Sequence, residues 1–480
     1  MTAALWTSTE AAAATGGRAT ATWAASGVSI DSRSVAAGDL FVALRGPTFD
    51  GHDFVPAALK AGAAAAVVAQ TPGGVADTAA LLMVDDTQTA LEALARAARD
   101  RATGRLVAIT GSVGKTGTKE MLALALTAVA GHRTAVHASR SSHNNQIGVP
   151  LSLANLPREA TYGVFELGMN HAGEITPLTR LVRPHVAVIT TVEATHLGHF
   201  DSVERIADTK AEIFEGMDGQ GAAVLYRDNA HFDRLRAAAA ARGITRIIGF
   251  GESAGCDVRL VGYVSDSRRN RVTVEMNGGT IDYDLCIDGR HWAVNSLAVL
   301  GAVSALGGDV ATAAASLAGM TAPAGRGARH LIDLGDGPLV LIDDSYNASP
   351  ASMRAAILTL AAAPPGPAGR RIAVLGDMLE LGPTEDALHA GLATDLAAAG
   401  IDLVFTVGPR MARLHEALSR ERRGGHMAAS AQIVAPLFAA LGAGDVVLVK
   451  GSLGSRMGAV VDALIDAGAA PAPRVVNGPG

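Results

Sequence analysis

Cysteine is nearly absent from this 480-residue chain. Its two cysteines, Cys256 and Cys286, stand in no metal-binding or redox spacing, which fits a reducing compartment and small apolar packing roles. Aromatic residues make up only 4% and charged residues 18%, but hydrophobic residues reach 49%, which excludes a disordered chain. There is no basic block, and the net charge is -6, so nucleic-acid binding has little support and any anionic ligand must be met by local groups. No positively charged segment leads into an apolar stretch near the start, and Glu10 falls early, so no signal peptide is expected. The longest apolar segments, such as Ala61 to Ala69, are alanine-rich and interrupted, and none reads as a membrane span. A cytoplasmic protein is expected.

The length suggests about three domains. Thr7-Ser8-Thr9-Glu10 reads as a capping box that opens a short helix ending at Gly16-Gly17. Strand-like pieces follow at 28–30, 40–44 and 65–68, with a helix over 54–61; a helix over 89–101 leads out of this small module. The middle region alternates strands (162–167, 185–192, 222–226) with a helix over 202–217, the rhythm of a mostly parallel sheet covered on both faces. From 258 to 287 the strands turn shorter and more polar, as in a small antiparallel insert, and 295–306 reads as a helix. The last region restarts at 339–342 and has strands at 372–375, 404–407 and 446–449, each ending in a polar turn. The run 361–369 reads as a surface loop, and the tail from 470 as frayed. The expected fold is α/β in three domains: a small N-terminal α/β module (1–85), a central mostly parallel sheet with a small antiparallel insert (86–327) and a C-terminal Rossmann-like α/β domain (328–480).

The strongest local signal is Thr110-Gly111-Ser112-Val113-Gly114-Lys115-Thr116 after the apolar run Leu106 to Ile109. Strand, glycine loop and helix start form a cradle for the phosphates of a nucleoside triphosphate: backbone N–H groups face the anion, Lys115 neutralises terminal oxygens and Thr116 supplies a hydroxyl for Mg²⁺. The bland reading is a helix-capping glycine turn with a solvated lysine. The common form of this loop has a glycine where Ile109 stands, so the version here is short. Glu166, at the end of an apolar strand, is either a strand cap or a ligand for Mg²⁺, which prefers oxygen. His196, in a loop at a similar position, is either structural or catalytic. Lys210 reads from its spacing as a solvated helix residue. Arg326 lies between two glycines and is either a phosphate contact or a hinge arginine. Asp343-Asp344-Ser345-Tyr346-Asn347 closes a strand with two acids, an arrangement that favours a binding role.

The loop, Glu166, His196, Lys210, Asn295, Arg326 and the 343–350 cluster, in that order, resemble the Mur ligases, ATP-dependent amide-forming enzymes of peptidoglycan precursor synthesis; the resemblance spans essentially the whole chain. Within the family, Asp31-Ser32-Arg33 with 38–44, then 144–150, 166–170, 344–348 and 375–382 resemble the branch that joins D-alanyl-D-alanine to UDP-N-acetylmuramoyl-tripeptide. The first stretch is shared with the tripeptide-forming ligase, whose Asp-Asn-Pro-containing motif is absent here. The resemblance implies the following roles. Gly111, Ser112, Val113, Gly114, Lys115 and Thr116 hold ATP phosphates, Asn295 the adenine, and Arg326 and Asp344 the phosphates and ribose. Thr116 and Glu166 hold one Mg²⁺, and His196 with a carbamylated Lys210 a second. Lys115, His196 and Lys210 are the catalytic set. Ser32 and Arg33 lie near the uridine nucleotide, Asn144, Asn145 and Gln146 near the muramoyl peptide, and Lys450 and Ser452 face the dipeptide. The expected partners are these two small-molecule substrates, without nucleic acid or membrane, and the chain is expected to be a monomer. Three positions depart from the family pattern: Trp292 where asparagine is frequent, Gly198-His199 after His196-Leu197, and Leu453 where arginine is common. The competing readings are another Mur ligase or a folylpolyglutamate synthetase-like ligase, and, from another class, a P-loop NTPase. The folate enzyme has no module before its phosphate loop, and an NTPase leaves the first and last domains unexplained.

Overall fold

The computed structural model describes residues 4–140, 143–195, 198–265, 270–333, 335 and 337–469. Among these, the strands form three large sheets and a two-stranded ribbon. The first sheet has the order Arg18–Ala19, Leu81–Met83, Ala65–Val68, Asp39–Val42, Gly27–Ser29, parallel apart from its first pair. The helix Ser8–Thr15 beside it carries the expected capping box at Thr7 and Glu10 and ends at Gly16 in the left-handed region. This module is fixed to the rest of the chain by polar contacts. Asn155 donates to the Val28 carbonyl and accepts from the Val28 N–H (2.9 and 2.8 Å), and the Trp6 indole donates to the Ala154 carbonyl at 2.8 Å.

The middle sheet places Arg105–Thr110 between Val186–Ile189 and Tyr162–Glu166, with Val136–Ala138 at one edge. All of these strands run parallel, which requires helical crossovers and buries both faces. Alternation along Leu106 to Ile109 sorts its side chains. Val107 and Ile109 join the core under the helices Lys115–Ala130 and Arg290–Leu306, while Leu106 and Ala108 face Phe165, Ile175 and Phe214 on the other side. The strands 258–265, 270–276 and 279–285 are antiparallel as expected. Val258 pairs with Phe250 in parallel, so they continue the same sheet.

The last sheet has the order Ala328–Asp333, Pro338–Asp344, Val446–Lys450, Arg371–Gly376, Leu403–Val407, Arg423–Met427, antiparallel only in its first pair. In both large sheets the polar strand-end turns lie at the carboxyl ends, where open α/β sheets bind ligands.

Several boundaries differ from the sequence reading. The strand expected over 185–192 is regular only over Val186–Ile189, because Thr190 and Thr191 turn to bond the glycine loop. The helix expected over 202–217 is α-helical over Val203–Ala211 and tightens to a 3₁₀ turn over Glu212–Gly216. The helix expected from 295 begins at Arg290, and residues 361 and 362, expected in a surface loop, end the helix Pro350–Ala362. The tail from 470 lies outside the described residues. Among the described residues no helix is long and apolar enough to cross a membrane.

His137, in the edge strand, donates from Nε2 to the Ser152 carbonyl at 2.7 Å. Burial, with Arg140 adding to it, lowers its pKa from 6.5 to about 4. The unfolded chain therefore binds the proton more readily, and the stability from the neutral ring is complete above about pH 6.5 and lost as pH falls toward 4. Thermal denaturation followed between those pH values should show a falling midpoint, with a shallower fall in a His137→Gln variant that keeps a donor but does not titrate.

Candidate active site

The glycine loop begins where strand Arg105–Thr110 ends, and Ile109 is fully buried within that strand. A glycine is not required at Ile109 because the chain is still extended there. The sharp turns fall at Gly111 (φ 149°) and Gly114 (φ 86°). A side chain at Gly111 would collide with the Thr190 hydroxyl, which donates to the Val113 carbonyl at 2.6 Å and fixes the loop from the neighbouring strand. Ser112 is tied to the segment after that strand, donating from its N–H to Thr191 and accepting the Glu193 N–H at 2.9 Å. The helix Lys115–Ala130 starts at Gly114 with no side-chain cap, leaving its first N–H groups and its partial positive charge directed at the loop.

Parallel pairing sets Glu166 beside Ile109 in register, and the carboxylate thereby reaches the start of that helix. The Thr116 hydroxyl donates to Glu166 Oε2 and the Asn144 amide to Oε1, both at 2.8 Å. Lys115 Nζ lies 2.7 Å from the Gly111 carbonyl. Its pKa is lowered by burial; Glu166 opposes that shift and Arg326 adds to it. Lys210 is 2% exposed, contrary to the solvated helix residue its spacing suggested. The helix Val203–Ala211 turns it inward, burial with Lys115 nearby pushes its pKa well down, and its ammonium makes no hydrogen bond or ion pair among the described residues.

The last sheet supplies the opposite wall. Asp344 and Lys450 are register partners on adjacent parallel strands, and Lys450 Nζ bonds Asp344 Oδ2 at 2.7 Å and the Asn347 carbonyl at 2.8 Å. Burial raises the Asp344 pKa against the pull of Lys450 and Arg326. Asp343 is structural: its carboxylate accepts the N–H groups of Gly325 and Ser345, at 2.9 and 3.1 Å. Arg326 stacks over the Tyr346 ring, 4.4 Å from its centre. Ser452 Oγ accepts the Leu379 N–H at 3.0 Å.

These groups surround one cavity of about 620 Å³ between the middle and last sheets. Ser112, Val113, Gly114, Lys115 and Thr116 line it, together with Asn144, Glu166, Asn295, Arg326, Asp344, Lys450 and Ser452. Gly111, in the loop, is not part of the wall, and neither is Lys210, whose pKa the nearby Lys115 helps to lower. Asn145 and Gln146 are not part of the wall; the Asn145 side chain accepts the N–H groups of Ile147 and Gly148 at the start of a helix. Ser32 and Arg33 lie by the first sheet, with Arg33 paired to Asp31. His196 lies outside the described residues. The sequence reading missed Thr190, which pins the loop, and only proximity in the fold could have exposed it. It noted Trp292 as a departure from the family pattern but not its packing against Gly117, where a side chain would clash with the ring.

Three family models match consecutive segments: the Mur ligase family catalytic domain over residues 24–99, the Mur ligase middle domain over 109–303 and the Mur ligase glutamate ligase domain over 330–453. The UDP-N-acetylmuramoyl-tripeptide--D-alanyl-D-alanine ligase of Escherichia coli (strain K12) is 36% identical over 443 residues, 92% of this chain and 94% of its own length. The chain belongs to the Mur ligase family. Among solved structures, MurF from Acinetobacter baumannii matches this Mur ligase with a TM-score of 0.81 and 29% identity, covering 96% of this chain and 99% of its own. MurF ligase from Thermotoga maritima in complex with ADP matches at 0.73 and 26%, covering 92% and 97%.

The Asp344–Lys450 pair gives this Mur ligase a testable weak point. Lys450→Met would leave a desolvated carboxylate without its counter-ion, a loss of about 3 kcal/mol. Urea denaturation should show that loss, with partial recovery in the Asp344→Asn/Lys450→Met double variant.

Proposed function

We propose that this chain is an ATP-dependent ligase that joins D-alanyl-D-alanine to UDP-N-acetylmuramoyl-tripeptide, giving UDP-N-acetylmuramoyl-pentapeptide, ADP and phosphate. The observation that carries this reading is the convergence of Lys115 and Arg326 on one cavity between two sheets, with Lys210 buried close to Lys115, in a chain whose relatives bear that enzyme's name over more than nine-tenths of its length. An oxygen of the tripeptide's terminal carboxylate attacks the γ-phosphorus of ATP, the bond to the β,γ-bridging oxygen breaks, and an acyl phosphate and ADP result. The dipeptide amine then attacks the acyl carbon, inorganic phosphate leaves, and the amine gives up a proton. The first step brings two anions together, so neutralisation and positioning dominate. Lys115 and Arg326 oppose the charge of the phosphates, the glycine loop and uncapped helix start orient them, and Asn295 and Asp344 are assigned to the nucleoside. Lys450 and Ser452, on the wall facing the loop, are assigned to the incoming dipeptide. Ser32 and Arg33 are assigned to the uridine nucleotide, and Asn144, Asn145 and Gln146 to the muramoyl peptide.

The oxygens of Thr116 and Glu166, already 2.8 Å apart, suit a hard divalent cation, and they would hold Mg²⁺, which neutralises phosphate charge when bound. A second ion would be held by His196 and Lys210. As an ammonium Lys210 repels a cation; as a carbamate it offers anionic oxygens. Its burial without an anionic partner among the described residues favours the uncharged amine that adds CO₂. The same reading makes the enzyme cytoplasmic and monomeric and divides the chain at 85 and 327.

ADP release measured with each substrate alone and with both together should require both; turnover that ignores either one removes the ligase reading. Lys210→Ala should lose activity by about 10²-fold or more and regain part of it with added acetate or formate. Full activity of that variant without additions would refute the carbamate.

A further inference from the structure

The wall of the cavity on the last sheet includes Leu379, Glu380 and Leu381, from the loop that follows strand Arg371–Gly376. This loop has no regular structure, so its shape depends on what holds its backbone. The Asp377 carboxylate accepts the Met411 N–H at 2.9 Å, and its carbonyl accepts the Ser452 N–H at 3.0 Å. The Met378 N–H donates to His389 Nε2 at 3.0 Å. The Glu380 carbonyl accepts the N–H of Gly198, across from the middle region, at 3.0 Å, and Glu380 itself is left-handed at φ 65°.

His389 is completely buried, on the helix Glu385–Ala398. A buried imidazole is costly unless both nitrogens find partners. Nδ1 lies 2.6 Å from the Glu385 carbonyl, which only accepts, so the ring hydrogen is on Nδ1. Nε2 is left as a bare acceptor facing the Met378 N–H. Met378 is itself fully buried, so no water can replace that acceptor. The surrounding charges reinforce the arrangement: Arg410 bonds the Glu385 carboxylate at 2.5 Å and lies 3.7 Å from Asp377.

We infer that His389 is a positioning residue for the ligation, holding Met378 so that Leu379 to Leu381 form the dipeptide-side wall and Glu380 meets Gly198. It touches no substrate and acts through the loop. Only the identity of the substrates rests on the function proposed above.

Two variants separate this role from packing. His389→Gln sets an amide oxygen where Nε2 sits and keeps the acceptor for Met378. His389→Asn keeps a donor for Glu385 and loses that acceptor. In steady-state kinetics the Asn variant should raise the KM for D-alanyl-D-alanine about tenfold, with the KM for ATP within about twofold, while the Gln variant stays within about threefold of the parent. Equal dipeptide KM values in the two variants, or equal rises for ATP and dipeptide, would overturn the inference. In the unmodified chain, the imidazole nitrogen shifts of labelled His389 should report hydrogen on Nδ1, and hydrogen on Nε2 overturns it whether or not either variant folds. Absence of turnover in the unmodified chain would strike at the proposed reaction, whereas the shift measurement stands apart from it.

Discussion

The hydrogen bond between Thr116 and Glu166 depends on one strand register, and the site is built around that register. Tyr162–Glu166 runs parallel to Arg105–Thr110 with Glu166 beside Ile109, so a carboxylate from one strand end meets the first turn of the helix that follows the other. A slip of one residue would turn Glu166 to the opposite face of the sheet and into the apolar core. The buried alternation of Leu106 to Ile109 and Val164 to Phe165 makes such a slip costly, so the hydrophobic pattern also fixes the polar geometry.

The same logic recurs on the facing sheet, where register partners Asp344 and Lys450 meet at neighbouring strand ends. The two walls differ in charge balance. On the middle sheet, Lys115 lies close enough to Lys210 to lower its affinity for protons, and Glu166 is the acid that opposes the effect of burial at Lys115. On the last sheet the lysine is already neutralised. This difference supports the proposed assignment of the multiply charged nucleotide to the glycine loop and of the less charged dipeptide to the facing wall.

Much of this was legible in the chain. The strands at 65–68 and 222–226 follow from short apolar runs, and the first helix follows from its capping box. The glycine loop was readable because its chemistry is local. Burial of Lys210 was not, because the residue sits on a helix with charged neighbours and only the surrounding sheet shows which face turns inward. The continuity of strands 258–285 with the main sheet was also hidden, since a two-residue parallel contact leaves no trace in composition. His389 escaped for a similar reason: a lone histidine in a helix gives no sign of the loop whose N–H it accepts.

Gly325 and Gly327, at φ 70° and 89°, flank Arg326, and on sequence grounds the arginine could have been part of a hinge. Both glycines are clamped by Asp343, one through its carboxylate at 2.9 Å and the other through its carbonyl at 2.7 Å. Arg326 is stacked on Tyr346 of the same segment. The arginine is therefore held firmly to the last sheet, and its N–H donates to the Pro323 carbonyl at 3.0 Å. Any movement of that sheet would carry the guanidinium with it, so on the function proposed above one chain supplies to the phosphates, from a facing wall, the kind of arginine that one protein lends to another.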